Sequence, residues 1–230
     1  MDAYPDILAV GKLIADPSRV AMLVALLDGG LRPASDLAWI ANVSRPAASA
    51  HLAKLVGGGL LEVVVSGKFR YYRLQNREVA KFLEFAASIA PAAQVRSLRT
   101  SRQLDALRFA RICYDHLAGR LGVLLLQGFL EQHWLVERDG GYHVTEVGAG
   151  GFSALGVGAV EARRCRRRLA YPCADWSERR PHLAGALGAV VFRRLFELGW
   201  VEREPARRAV RLTDAGGEGL RNCLGLRVEL

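Results

Sequence analysis

The seven residues HLAGRLG at 116–122 return almost unchanged as HLAGALG at 182–188, 66 positions later. Laying 116–134 on 182–200 leaves 8 of 19 pairs identical: His116/His182, Leu117/Leu183, Ala118/Ala184, Gly119/Gly185, Leu121/Leu187, Gly122/Gly188, Glu131/Glu197 and Trp134/Trp200. Beyond them WLVER parallels WVER, VTEVG parallels LTDAG and ALGV parallels CLGL, in the same order. Such agreement points to a unit written twice, and a unit this small buries its apolar face by stacking on its neighbour. Each copy has the pattern of a long helix, a two-stranded wing and a short closing helix, with copies at about 111–157 and 177–226. Strands are expected near 135–138, 142–145, 201–204 and 209–213. Ala118, Gly119 and Gly122, matched by Ala184, Gly185 and Gly188, let another backbone approach closely. The expectation is two buried helices packed on each other about a pseudo-twofold axis, not helices lying in a DNA groove.

The first third is organised differently. YPDILAVGKLI at 4–14 places Ile7, Leu8, Val10 and Ile14 near one face of a short helix. DPSRVAMLVALLDGG follows as a helix with both ends marked: Asp16 as N-cap, Pro17 in the first turn, and Gly29 with Gly30 as the stop. A third short helix is expected over 33–41. NVSRPAASAHLAKLVGGG then supplies a turn, Ser44 as N-cap and a helix to about Val56, ended by Gly57, Gly58 and Gly59. LLEVVV and FRYYRL read as strands joined by SGK, whose Gly67 suits a tight turn. A helical pattern returns from Asn76 to Ile89, before Pro91.

That order is the order of a winged helix-turn-helix. Residues 5–90 resemble the reading domain of the ArsR family of bacterial transcriptional regulators through DPSRVAMLVALLDG, SDLAWIANVSRPAASAHLAKLVGGGLLE and GKFRYYRL. The resemblance implies double-stranded operator DNA as partner. It also implies a homodimer paired through the first and last helices, here 4–14 and 76–90, where Val79, Phe82, Leu83 and Phe85 offer an apolar face. Two heads one helical turn apart read two half-sites and multiply a modest single-head affinity. Metal-sensing members of the family commonly place cysteines at the start of the helix before the reading helix, or Asp and His ligands on the last helix. RPASDLAW has no Cys and REVAKFLEFAASIA has no His, so a sensed metal must bind in the second half. The ending GWVER to VRLTDAGGEGL also resembles MarR-type winged helices.

On the reading helix, Ala48, Leu52 and Leu55 fall on one side and pack inward. Arg45, near the helix start, is the candidate for a bidentate contact to guanine. Ser44, Ser49, His51 and Lys54 are placed to hold phosphates and set register, and Lys68 and Arg70 of the wing to reach a flanking backbone or minor groove. The formal charge of +9 does not argue for this helix: residues 1–95 carry 10 basic against 8 acidic side chains, and the remainder carries 22 against 15.

Apolar residues make up 51% of the chain, yet no apolar run approaches the roughly 18 residues of a membrane span, and no export signal opens the sequence. A cytoplasmic globular protein is expected, with Cys113, Cys165, Cys173 and Cys223 reduced. The distinctive chemistry opens each copy, as CYDH at 113–116 and CADWSERRPH at 173–182. Cys113 and His116 at i, i+3 share one helix face; if Cys173, Asp175 and His182 converge on them, two thiolates and two imidazoles make a tetrahedral zinc or soft-metal site. Buried cysteine and satisfied core histidine are the plain alternative. A small organic effector held among Tyr114, His116, Trp176 and His182 is the other candidate. In EARRCRRRL at 161–169, five arginines in six residues read as a solvated helix face or an anion contact, with Cys165 made oxidant-sensitive by its basic neighbours.

The sequence therefore predicts a mainly α protein with small β-hairpin wings: a winged helix-turn-helix DNA-binding and dimerisation domain at 1–95, and a C-terminal domain of two repeated helix-wing-helix units at 96–230. The predicted function is a dimeric repressor whose operator binding responds to a small-molecule, metal or oxidant signal sensed in the second domain. A constitutive architectural DNA-binding protein is the alternative. An enzyme is not expected, because DGGYH and DAGGEG read as turns and no phosphate-binding loop or triad signature is present. No resident cofactor is implied.

Overall fold

A computed structural model describes residues 5–91, 97–158, 168–204 and 208–228. The chain divides into two compact units, residues 1–83 and 84–230.

In the first unit, α1 (Ile7–Ile14) is capped by Asp6, whose carboxylate accepts from Ala9 N at 3.0 Å. Asp16 caps α2 (Pro17–Ala25) in the same way through Arg19 N at 2.9 Å. The Arg19 guanidinium donates back to Leu13 O and Lys12 O, which otherwise end α1 unpaired. Helix α3 (Ala34–Ile40), a turn containing Asn42 at φ 52°, and α4 (Arg45–Gly57) form the helix-turn-helix. Ser44 caps α4 with Pro46 in its first turn. Strands β2 (Leu61–Ser66) and β3 (Phe69–Leu74) pair antiparallel through a turn at Gly67, φ 58°. A short β1 (Arg32–Pro33), read as the start of a helix from sequence, pairs with β3 to give the sheet order β1-β3-β2. Pro33, extended at φ −71° and ψ 159°, ends this edge strand and is the N-cap of α3, so the helix begins one residue later, at Ala34. Met22, Leu23, Leu37, Ala48, Leu52, Leu55, Leu61 and Leu74 are buried and form the inward face of these elements. Helix α5 (Arg77–Ile89), capped by Asn76 accepting from Val79 N, contains the boundary between the units.

The second unit begins its described part with α6 (Leu98–Phe109). Then come β4 (Arg111–Cys113), β5 (His116–Ala118), α7 (Arg120–Glu131), β6 (Leu135–Arg138), β7 (Gly141–Val144) and α8 (Glu146–Ala154). The same order of hairpin, helix, hairpin and helix follows in β8 (Tyr171–Ala174), β9 (Pro181–Ala184), α9 (Gly185–Glu197), β10 (Val201–Arg203), β11 (Val210–Leu212) and α10 (Asp214–Leu224). The arginine run with Cys165 lies outside the described residues, apart from Arg168 and Leu169.

Two expectations are corrected here. First, each stretch opens with a hairpin, not with the start of a long helix, and the second opens at Tyr171 rather than near 177. Short apolar runs such as HLA fit a strand or a helix equally well by periodicity. What separates them is the glycine that follows. Gly119 and Gly185 take φ 82° and 95°, and a side chain on either would meet backbone carbonyl oxygens at 2.7 and 2.5 Å. These glycines turn strand into helix, so Cys113 and His116 face each other across a ladder instead of sharing a helix face.

Second, α7 and α9 are buried as expected, but they do not pack mainly on each other: α7 packs on β9, α9 on β5, and β5 on β9. The requirement for glycine at 122 and 188 comes from each helix's own hairpin. A Cβ on Gly122 would lie 3.5 Å from His182 Cβ, and one on Gly188 3.4 Å from His116 Cβ, while both would collide with carbonyls of their own hairpins at 2.5 Å.

Candidate functional site

The first candidate surface lies on α4 and the β2-β3 wing. Arg45, Ser49 and Lys54 are exposed on α4, and Lys68 and Arg70 are exposed on the wing. Ser44 Oγ accepts from Ala47 N at 3.4 Å, so its side chain serves the helix end. His51 is half-buried, with its Nδ1 3.9 Å from Asp16 Oδ1. The Lys68 ammonium sits 5.5 Å above the Phe69 ring. The outward face of α4 thus offers a guanidinium, a hydroxyl and an ammonium on a helix whose inward face is anchored by Leu52 and Leu55.

The second site is assembled by the two hairpins β4-β5 and β8-β9. Cys113 is the ladder partner of His116, and Cys173 is the ladder partner of His182. Each hairpin therefore presents one thiol beside one imidazole. The ligand atoms of all four residues lie within 4.8 Å of one another, and all four side chains are buried. The imidazoles meet through their Nε2 atoms at 3.1 Å. Their other nitrogens face carboxylates: His116 Nδ1 is 3.2 Å from Asp115 Oδ1, and His182 Nδ1 is 3.3 Å from Asp175 Oδ2.

Of the remaining predicted residues, Tyr114 is half-buried at the β4-β5 turn with φ 62°. Trp176 lies under the Arg111 guanidinium, 4.6 Å from ring centre to Cζ. A nearby open cleft is lined by Ser88, Arg179 and Arg180 among others, but by none of the four residues expected to hold an organic effector.

Asp175 connects this site to a charged network that sequence reasoning missed. Its Oδ2 accepts from Arg111 at 3.1 Å and from Gly119 N at 2.6 Å, and its Oδ1 accepts from Ser177 N and Oγ. Arg111 also donates to Glu84 at 3.1 Å, and Glu84 accepts from Arg208 at 3.0 Å. Glu84 belongs to α5. Arg111, at the centre of the network, is 0% exposed. Its partners come from distant stretches of chain, which leaves no local pattern to read.

Titration follows from these contacts. A hydrogen bond with Cys173, together with burial, pushes the Cys113 thiol up to about 12. Burial opposes charging His182, but Asp175 and Cys113 outweigh it and raise its pKa; His116 is raised likewise by Cys113 and Asp115. Burial would also raise the carboxyls, yet His182, Arg111 and Ser177 hold Asp175 far below the usual carboxylate range, and Arg208 and Arg111 lower Glu84.

Comparison with known proteins places these features among regulators. Residues 14–64 match a family described as a helix-turn-helix domain. The chain is 43% identical over 212 residues to YdfF of Bacillus subtilis strain 168, an HTH-type transcriptional regulator; the match covers 92% of this chain and 94% of that one. It is 38% identical over 74 residues, 32% of this chain, to the HTH-type transcriptional regulator CmtR of Mycobacterium bovis. Among solved structures, the winged helix-turn-helix fragment of Mb0332 from Mycobacterium bovis, described as homodimeric and possibly of the ArsR family, aligns with TM-score 0.33 and 30% identity. That alignment covers 37% of this chain and 86% of the fragment.

Proposed function

The chain belongs to the HTH-type transcriptional regulators, and from that premise we propose that it is a homodimeric repressor whose hold on operator DNA is set by a signal read in residues 96–230. Residues 1–95 are the DNA-binding and dimerisation part. Exposed Ile7 and Leu8 on α1, and exposed Phe82, Phe85 and Ile89 on α5, support pairing through those helices. Val79 and Leu83 are already buried within the chain and belong to its own core. The second part is two copies of one hairpin-helix-wing-helix unit, a reading supported by the recurring element order.

The observation that carries the sensing role is the convergence of Cys113, His116, Cys173 and His182. Buried polar groups are costly unless they are satisfied. Two thiols and two imidazoles brought together from both copies form a chemical reader for a metal or an oxidant. Such a signal acts only if it binds one arrangement of the protein better than another.

The test is binding to a duplex from the protein's own upstream region against a scrambled duplex, over a range of salt. Arg45→Ala is expected to cost about 1–3 kcal/mol on the specific duplex, roughly 5–150-fold in affinity. Lys54→Ala weakens binding to both duplexes alike and reduces the salt slope by about one. Weak, equal binding to both duplexes by the wild type would overturn the operator-reading role. Affinity unchanged by zinc, by chelation and by a thiol oxidant would overturn the sensing role.

A further inference from the structure

We propose that Cys113 Sγ, His116 Nε2, Cys173 Sγ and His182 Nε2 bind one tetrahedral Zn2+ per chain, with Asp115 and Asp175 orienting the two rings. The site stands on these side chains; its regulatory use rests on the function proposed above.

Size comes first. Zinc bonds to nitrogen and sulfur imply tetrahedron edges of about 3.3 Å between two nitrogens and about 3.8 Å between two sulfurs. The two Nε2 atoms are 3.1 Å apart, and all four ligand atoms lie within 4.8 Å of one another. The cluster reaches the dimensions of a closed four-ligand shell by contracting its longest edge by no more than about 1 Å.

The histidine rings give the second argument. Each ring has a carboxylate beside Nδ1, Asp115 Oδ1 at 3.2 Å for His116 and Asp175 Oδ2 at 3.3 Å for His182, which favours keeping a ring proton on that nitrogen. With the ring protons held there, the two Nε2 atoms, 3.1 Å apart, are left to share one positive centre, a proton in the metal-free protein and a metal ion when it is bound. Ligating histidines characteristically give their second nitrogen to a carboxylate, which fixes the tautomer and strengthens the donor. Here both rings have that arrangement, one from each hairpin.

Charge and ligand type select the metal. Two thiolates cancel Zn2+, giving a neutral complex, which a buried site accommodates better than a net charge. Binding releases the thiol protons of Cys113 and Cys173 to solvent, together with any proton held at Nε2, so that both imidazoles ligate in their neutral form. Two sulfurs with two nitrogens suit zinc and exclude the oxygen-seeking Mg2+ and Ca2+. With all four positions filled by the protein, the metal fastens β4-β5 to β8-β9 and has no open position for substrate.

Its consequence passes through Asp175. Holding His182 fixes the carboxylate beside it, which Arg111 bridges to Glu84 on α5. Loading and stripping the metal therefore act on a network that ends on the helix leaving the DNA-binding unit.

The experiment uses the full chain. Purified protein is assayed for metal by mass spectrometry, stripped with a chelator under reducing conditions, and titrated with Co2+. The expected result is one zinc per chain as purified. One equivalent of Co2+ should then give the strong visible bands of tetrahedral cobalt together with a thiolate-to-cobalt charge-transfer band. Cys113→Ser and Cys173→Ser should each weaken that charge-transfer band, whereas Cys223→Ser, at an exposed thiol, should leave the spectrum unchanged. The wild-type titration keeps the test valid if a variant fails to fold. Weak octahedral cobalt bands, a Cys113–Cys173 disulfide in metal-free protein, or full zinc content in Cys113→Ser would overturn the site. A tetrahedral site whose loading leaves operator affinity unchanged would confirm the metal and overturn the sensing role alone.

Discussion

Replacing Arg111 by Ala lowers the stability of residues 84–230 by about 3–5 kcal/mol, the range for breaking a buried ion pair from one side. The cost comes from what remains. Glu84 and Asp175, with side chains 1% and 0% exposed, lose a shared guanidinium that bonded both at 3.1 Å. Arg208 still reaches Glu84, and Gly119 N with Ser177 still reaches Asp175, so neither carboxylate is wholly abandoned. The Trp176 ring also loses the cation stacked on it, a smaller contribution of about 0.5–2 kcal/mol.

Because the penalty belongs to uncompensated carboxylates, Arg111→Met should cost nearly as much as Arg111→Ala. Adding Glu84→Gln to Arg111→Met should recover part of the loss instead of adding to it. Urea unfolding followed by tryptophan fluorescence measures this, since Trp134, Trp176 and Trp200 all belong to this unit. A loss below about 1 kcal/mol for Arg111→Ala would place it with exposed ion pairs and remove the network's structural importance.

The helix-turn-helix was legible because its signals are local. Asp16, Ser44 and Gly67 each act within three residues of where they stand, and the structure uses them as caps and turn. The Cys and His cluster was legible for a different reason. An i, i+3 spacing brings two side chains together on a helix, but it also does so across a two-residue hairpin turn. The pairing of Cys113 with His116 was therefore anticipated although the element was not. Arg111, Glu84 and Arg208 could not be read in this way. They are joined across 27 and 124 residues, and nothing near any of them in sequence indicates a partner. The repeated phrase itself has a physical meaning: Gly119 and Gly185 turn strand into helix, Gly122 and Gly188 let each helix pass the carbonyl of its own hairpin, and His116 and His182 meet across the two hairpins.

Leu52→Ala should destabilise the first unit by about 2–5 kcal/mol and weaken DNA binding without altering any of the residues proposed to contact DNA. Leu52 is fully buried on α4, and α4 packs on α2, α3 and β2 through this face. Removing the side chain forfeits its transfer energy of about 1.5–3 kcal/mol and leaves a cavity that a close-packed core refills only in part. The consequence for function follows from the two-sidedness of the helix. Arg45, Ser49 and Lys54 keep their chemistry, but the helix that aims them is held by fewer contacts, so more of the population has α4 unformed. Amide exchange distinguishes this from a general collapse. Where opening governs exchange, protection over 45–57 should fall by about 30-fold or more, while protection over 120–131 stays unchanged. Equal loss in both segments would mean that the two units unfold as one, and unchanged protection over 45–57 would mean that Leu52 does not anchor the reading helix.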